Sequence, residues 1–169
     1  FIALTTHRPF LFIDKKICIV SNDAGGAKIL KSQMNIMKCK FKFILTGPAL
    51  NIFNKKKNKP NIFKNIKSCD FVFTGTSGRS NLEFNVIKHC NKINKQVYSF
   101  LDHWVNYEKR FIRNNEIVLP TQIVVFDKYA FKIAKKYFYK VLFVEKNPYW
   151  DELKKKIKIK KKNQKLKTI

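Results

Sequence analysis

Short apolar runs of strand length alternate with helix-length segments along the chain, and this alternation restricts the fold more than any other feature. The runs fall at 16–20 (KICIV), 41–45 (FKFIL), 71–74 (FVFT), 97–101, 123–126 and 141–144. Helical apolar spacing occupies 27–37, 81–93 (through Leu82, Val86, Ile87 and Cys90) and 129–138 (with Ala130, Ile133 and Ala134 facing inward). Shorter helices fit 49–53 and 62–66. Strands that are apolar throughout belong in a sheet covered on both sides, and helices between them imply right-handed crossovers. The expected fold class is α/β: a Rossmann-like three-layer sandwich around a mainly parallel sheet of about six strands.

At 169 residues, with 45% hydrophobic content, the chain can bury one ordinary core and is not a disordered polymer. No run of about 18 apolar residues offers a membrane-spanning helix. The opening at 1–13 is broken by Thr5, Thr6, His7, Arg8 and Pro9 and lacks the basic start of a signal peptide, although a first residue Phe leaves room for a longer product. The expected location is cytoplasmic, extending to the inner face of a membrane. After Trp150 the character changes, because 154–169 holds nine lysines and no acid. The expected organisation is a Rossmann-like domain at 1–152 followed by a lysine-rich tail or linker at 153–169.

The net charge of +25 invites a nucleic-acid reading, but only Arg8, Arg79, Arg110 and Arg113 among 36 basic residues are arginine. Sequence-specific readers lean on bidentate arginine, so the lysine surface is expected to attract polyanions without reading sequence. Cys18, Cys39, Cys69 and Cys90 form no Cys-x-x-Cys pair; they are expected to be reduced and mostly buried, with no metal site.

The densest chemistry follows the run at 97–101. Nine positions hold Asp102, His103, Trp104, Asn106, Tyr107, Glu108 and Arg110. Open α/β sheets bind ligands outside the carboxyl ends of their strands, which is where this block falls. Asp102 and His103 are the catalytic candidates, since histidine is the usual general base near neutral pH. Trp104 and Tyr107 offer flat faces to a ligand, and Asn106 and Arg110 offer polar contacts. A purely structural arrangement also fits: Asp102 on loop amides, His103 packed on Trp104, Arg110 paired with Glu108.

Two further loops join the candidate substrate site. Asn22, Asp23, Gly25 and Gly26 link the first strand to the first helix, where glycines admit close approach and helix-start amides favour an anion. Capping by Asn22 or Asp23 is the plainer alternative. The stretch is neither Gly-x-Gly-x-x-Gly nor a Walker loop, and no acid ends the second strand, so no cofactor is expected. Gly75, Thr76, Ser77 and Arg79 repeat the theme after the third strand, while Ser80 with Glu83 fits a capping box. The segment 147–151 (NPYWD) reads as a structural seal at the domain edge.

In order, NDAGGAK, TGPA, GTS, SFLDHWVNYEKRF, FDKYAFKIA and NPYWDE resemble the N-terminal half of GT-B-type glycosyltransferases, an architecture shared with nucleotide-sugar 2-epimerases. The likeness covers roughly 16–152. It implies two Rossmann-like halves facing across a cleft, the N-terminal one carrying the acceptor and a base, the other the nucleotide-sugar donor. Carried over, Gly25, Gly26, Thr76, Ser77, Asp102 and His103 would line that cleft. The implied function is the acceptor-binding half of a sugar-transferring enzyme acting on cell-envelope or polysaccharide precursors. Its implied partners are a sugar or lipid-linked acceptor and a second Rossmann-like donor-binding half. The lysine tail stands where that half would begin, so the chain is expected to be incomplete alone, and its charge would suit contact with an anionic membrane. The alternative expectation is a non-catalytic basic module binding polyanions through lysines of 55–59 and 154–167.

Overall fold

The computed structural model describes residues 13–56 and 61–166, and the structural statements below concern those residues. The opening at 1–12, positions 57–60 of the basic loop and the tail end at 167–169 lie outside them.

Six strands, β1 (Lys16–Ser21), β2 (Lys40–Leu45), β3 (Phe71–Thr74), β4 (Val97–Phe100), β7 (Gln122–Val125) and β8 (Val141–Phe143), form one sheet in the order β2-β1-β3-β4-β7-β8. Every neighbouring pair is parallel. Residues alternate between the two faces, as the period of two requires. Ile17 and Ile19 enter one core with Ala27, Ile29 and Leu30 of α1 (Ala24–Ile36) and Ala49 of α2 (Ala49–Ile52). Cys18 and Val20 enter the other with Ile66 of α3 (Ile62–Lys67), Val86 and Ile87 of α4 (Leu82–Lys92), and Ala130 and Ala134 of α5 (Lys128–Tyr137). The protein is a Rossmann-like three-layer α/β sandwich.

The strand order reverses at β1. The first crossover places β2 on one side and the second places β3 on the other, so the carboxyl ends of β1 and β3 flank a topological switch point. There Ser21, Thr74 and Ser99 are buried, and the last two share a 2.7 Å hydrogen bond between registered strands.

Several elements differ from expectation. The helix after β1 begins at Ala24, so Gly25 and Gly26 lie in its first turn, capped by Asp23, whose Oδ1 accepts from the Gly26 amide at 2.9 Å. The capping box at 80–83 does not form, because Glu83 turns away to the Asn22 amide and Ser80 accepts from the Leu82 amide instead. Between β4 and β7 the chain adds a 3-10 turn (Glu108–Phe111) and a hairpin of β5 (Ile112–Arg113) and β6 (Glu116–Ile117). Asn114 and Asn115, both with positive φ, close that hairpin, as a primed two-residue turn demands. Helix α6 (Pro148–Leu166) runs unbroken across 152 and 153 and packs on α1, so the lysine-rich segment is helical through 166. Lysine is a good helix former, and α1 gives the first turns a surface to pack against. No helix among the described residues is long and apolar enough to cross a membrane.

Candidate functional site

Two cavities at the carboxyl edge of the sheet, both lined by Asp102 and His103, make up the candidate groove. On the switch-point side a cavity of about 360 Å³ is lined by Asp23, Thr76, Asn106, Lys109 and Arg110 along with that pair. On the other side a cavity of about 370 Å³ is walled by Gly25, Trp104, Phe126, Asn147, Tyr149 and Trp150, again with Asp102 and His103.

Arg110 organises the first cavity. Its Nη1 donates to Asp102 Oδ1 at 2.5 Å and to Thr76 Oγ1 at 2.6 Å, and its Nε reaches the Val105 carbonyl at 3.3 Å. The Asp102 and Arg110 side chains are only 9% and 11% exposed, so the pair is well shielded from water. The partner of Arg110 is Asp102 rather than Glu108. Asp102 Oδ2 faces α1, where a Cβ on Gly25 would come within 2.1 Å of it. His103 is exposed, and among the described residues its ring makes no hydrogen bond. Burial raises the Asp23 carboxyl, and the hydrogen bond from the Gly26 amide partly offsets that.

The remaining candidates divide. Trp104 donates from Nε1 to Asp127 Oδ2 at 2.9 Å, and its ring stands nearly perpendicular to that of Tyr129 with centroids 6.0 Å apart, so the loop after β4 is tied to the start of α5. Asn106 lies at the cavity mouth in a left-handed conformation. Tyr107 is buried, and burial pushes its hydroxyl up to about 12; it lines a smaller pocket with Trp104 and Glu108. Asn22 lines neither large cavity. Its Nδ2 binds Thr46 Oγ1 at 2.8 Å, beside Gly47, whose positive φ and closeness to Asn22 leave no room for a side chain.

Gly26 and Gly75 press backbone to backbone, since a Cβ on Gly26 would sit 3.0 Å from Gly75 Cα. They bring α1 against β3 and stay behind the groove. Ser77 is buried, its hydroxyl accepting from the amides of Arg79 and Ser80. Arg79 is exposed and lines neither cavity.

Sequence reasoning passed over four contributors. Arg113 donates to the Ser77 and Ser80 carbonyls and to Asn81 Oδ1, which fastens the 75–80 loop to the 3-10 turn. Glu83 is 3% exposed; Oε1 accepts from the Asn22 amide at 2.7 Å, Oε2 has no partner, and burial pushes its carboxyl up to about 7. Lys109 joins the first cavity. The segment Asn147–Trp150, expected to be only a seal, forms one wall of the second; its place after the last strand was the available signal. No group of three or more His, Cys, Asp or Glu among the described residues could hold a metal ion. None of the four cysteines is in a disulfide, and Cys18, Cys69 and Cys90 are buried.

Compared with family models, curated proteins and solved structures, the chain gives no match.

Proposed function

We propose that this chain is the acceptor-binding half of a sugar-transferring enzyme acting on cell-envelope or polysaccharide precursors. The observation that carries the reading is the groove itself. A shielded Asp102–Arg110 pair, the Thr76 hydroxyl and an unengaged imidazole converge at the sheet's carboxyl edge. A hydroxyl-rich ligand needs such a mixed set of donors and acceptors around one basic group.

In the proposed step His103 takes the proton from an acceptor hydroxyl. The oxygen bonds to the anomeric carbon of a donor with inversion, and the nucleoside phosphate leaves with the bonding electrons. A second Rossmann-like half presents that donor. Asp102 is a positioning residue, because its Oδ1 is already held by Arg110 and its Oδ2 lies against α1. Capture of cell-envelope glycans on an array by the purified chain tests the reading. Binding at high salt that is lost in Arg110→Ala is the expected result. No capture across free and lipid-linked glycans would overturn it.

A second reading rests on α6, where Lys154, Lys155, Lys156 and Lys158 are all exposed. Under it the chain is a non-catalytic module that holds polyanions or an anionic membrane through this face.

A further inference from the structure

The chain has two tryptophans, Trp104 and Trp150, and both line the second cavity. They come from separate elements: the loop after β4 and the first turn of α6. Each remains about half exposed, at 51% and 52%. Indoles that served only the core would be withdrawn from water far more completely. Trp104 is also fixed in place, because Asp127 accepts from its Nε1 at 2.9 Å while receiving the Ala130 amide at 2.6 Å. The backbone of Trp150 is fixed by the helix start, where the Asn147 carbonyl accepts its amide at 3.0 Å. Two half-exposed indoles, one of them anchored through its ring nitrogen, therefore line a volume of about 370 Å³.

The rest of the wall narrows the occupant. Ile29, Leu101 and Phe126 supply apolar contact, while exposed Lys28 and buried Asn147 supply polar groups. An aliphatic chain would strip water from those polar groups without repaying them. A pyranose ring fits both, with its C–H face against an indole and its hydroxyls toward those polar groups. Asp102 and His103 line both cavities, so the two are neighbours and a ligand that filled both would pass these residues.

We infer that the Trp104–Trp150 cavity is a second sugar subsite, and that the acceptor is an oligosaccharide of at least two linked rings rather than a single sugar. This rests on the acceptor reading above and extends it. Both tryptophans report on the cavity, so the test is intrinsic fluorescence of the purified chain titrated with methyl glycosides of single sugars and with disaccharides extending each. The expected result is a change in emission with disaccharide and affinity roughly tenfold or more above the matching monosaccharide. Trp150→Ala should remove that increment and keep monosaccharide binding, whereas Trp150→Phe, which retains a flat face, should keep most of it. Equal affinity for single and linked sugars, or an increment that survives Trp150→Ala, would overturn the second subsite and leave the acceptor reading standing. A response to nucleoside monophosphates with none to any saccharide would overturn both.

Discussion

At the residue scale, Gly25 shows how one missing methyl group shapes the groove. It lies in the first turn of α1, where alanine would favour the helix by up to about 1 kcal/mol. Its Cβ, however, would land 2.1 Å from Asp102 Oδ2. The Gly26–Gly75 backbone contact holds α1 against β3, so the carboxylate is the part that moves, and moving it breaks its 2.5 Å bond with Arg110. Gly25→Ala is therefore expected to lower the melting temperature, because the lost shielded pair outweighs the helix gain, and to reduce glycan capture by about tenfold or more. Thermal unfolding and array binding, run side by side, check this. A large loss of stability with binding intact would mean that Gly25 serves the fold and not the site.

At the scale of elements, Glu83 ties α4 to the loop after β1, and the local sequence disguised the tie. Ser80 and Glu83 have the spacing of a capping box, but the partner that Glu83 takes, the Asn22 amide, is 61 residues away. Local spacing carries no information about such a contact. The same limit hides Arg113, which bridges two loops, and a run of lysines reads as a tail or linker by its charge although lysine is a good helix former. The strands were legible because a run apolar on both faces has few other places to go, and β3 falls at 71–74 as expected. The groove was legible in part, since Asp102, His103 and Thr76 follow strand ends, whereas Asn147–Trp150 followed one too and was read as a seal. Burial of Glu83 has a measurable consequence. Its folded pKa of about 7 exceeds the ordinary value of 4.5, so the folded chain binds the proton more tightly than the unfolded one. Its contribution to stability is fullest below the ordinary value and falls as pH rises towards the folded one, by roughly 3 kcal/mol in all. Asp23 and Arg113 are the charged groups beside it, acting in opposite directions. Glu83→Gln keeps an acceptor for the Asn22 amide and cannot ionise. Urea unfolding across that pH range should show the variant gaining on the parent as pH rises; a constant difference would contradict the buried, titrating carboxyl.

At the scale of the whole molecule, the question is whether a net charge of +25 acts through the groove or apart from it. The lysines exposed on α6 lie beyond Leu153, the last residue of that helix in the cavity wall. Polyanion binding through them would release counterions, so its affinity should fall with salt at a logarithmic slope of about −0.9 for each duplex phosphate neutralised. Replacing Lys154, Lys155, Lys156 and Lys158 with glutamine should flatten that slope by about the same amount for every lysine that touched a phosphate. Groove binding follows a different physics. Its hydroxyl contacts are uncharged, and its one ion pair is internal and shielded, so added salt has little to screen. The expected outcome is that duplex DNA is held only at low salt and released by the four-glutamine variant, while glycan capture survives both changes. Glycan capture that disappeared with those four lysines would move the functional surface from the sheet edge to α6, and the chain would then be a basic docking module that happens to contain a groove.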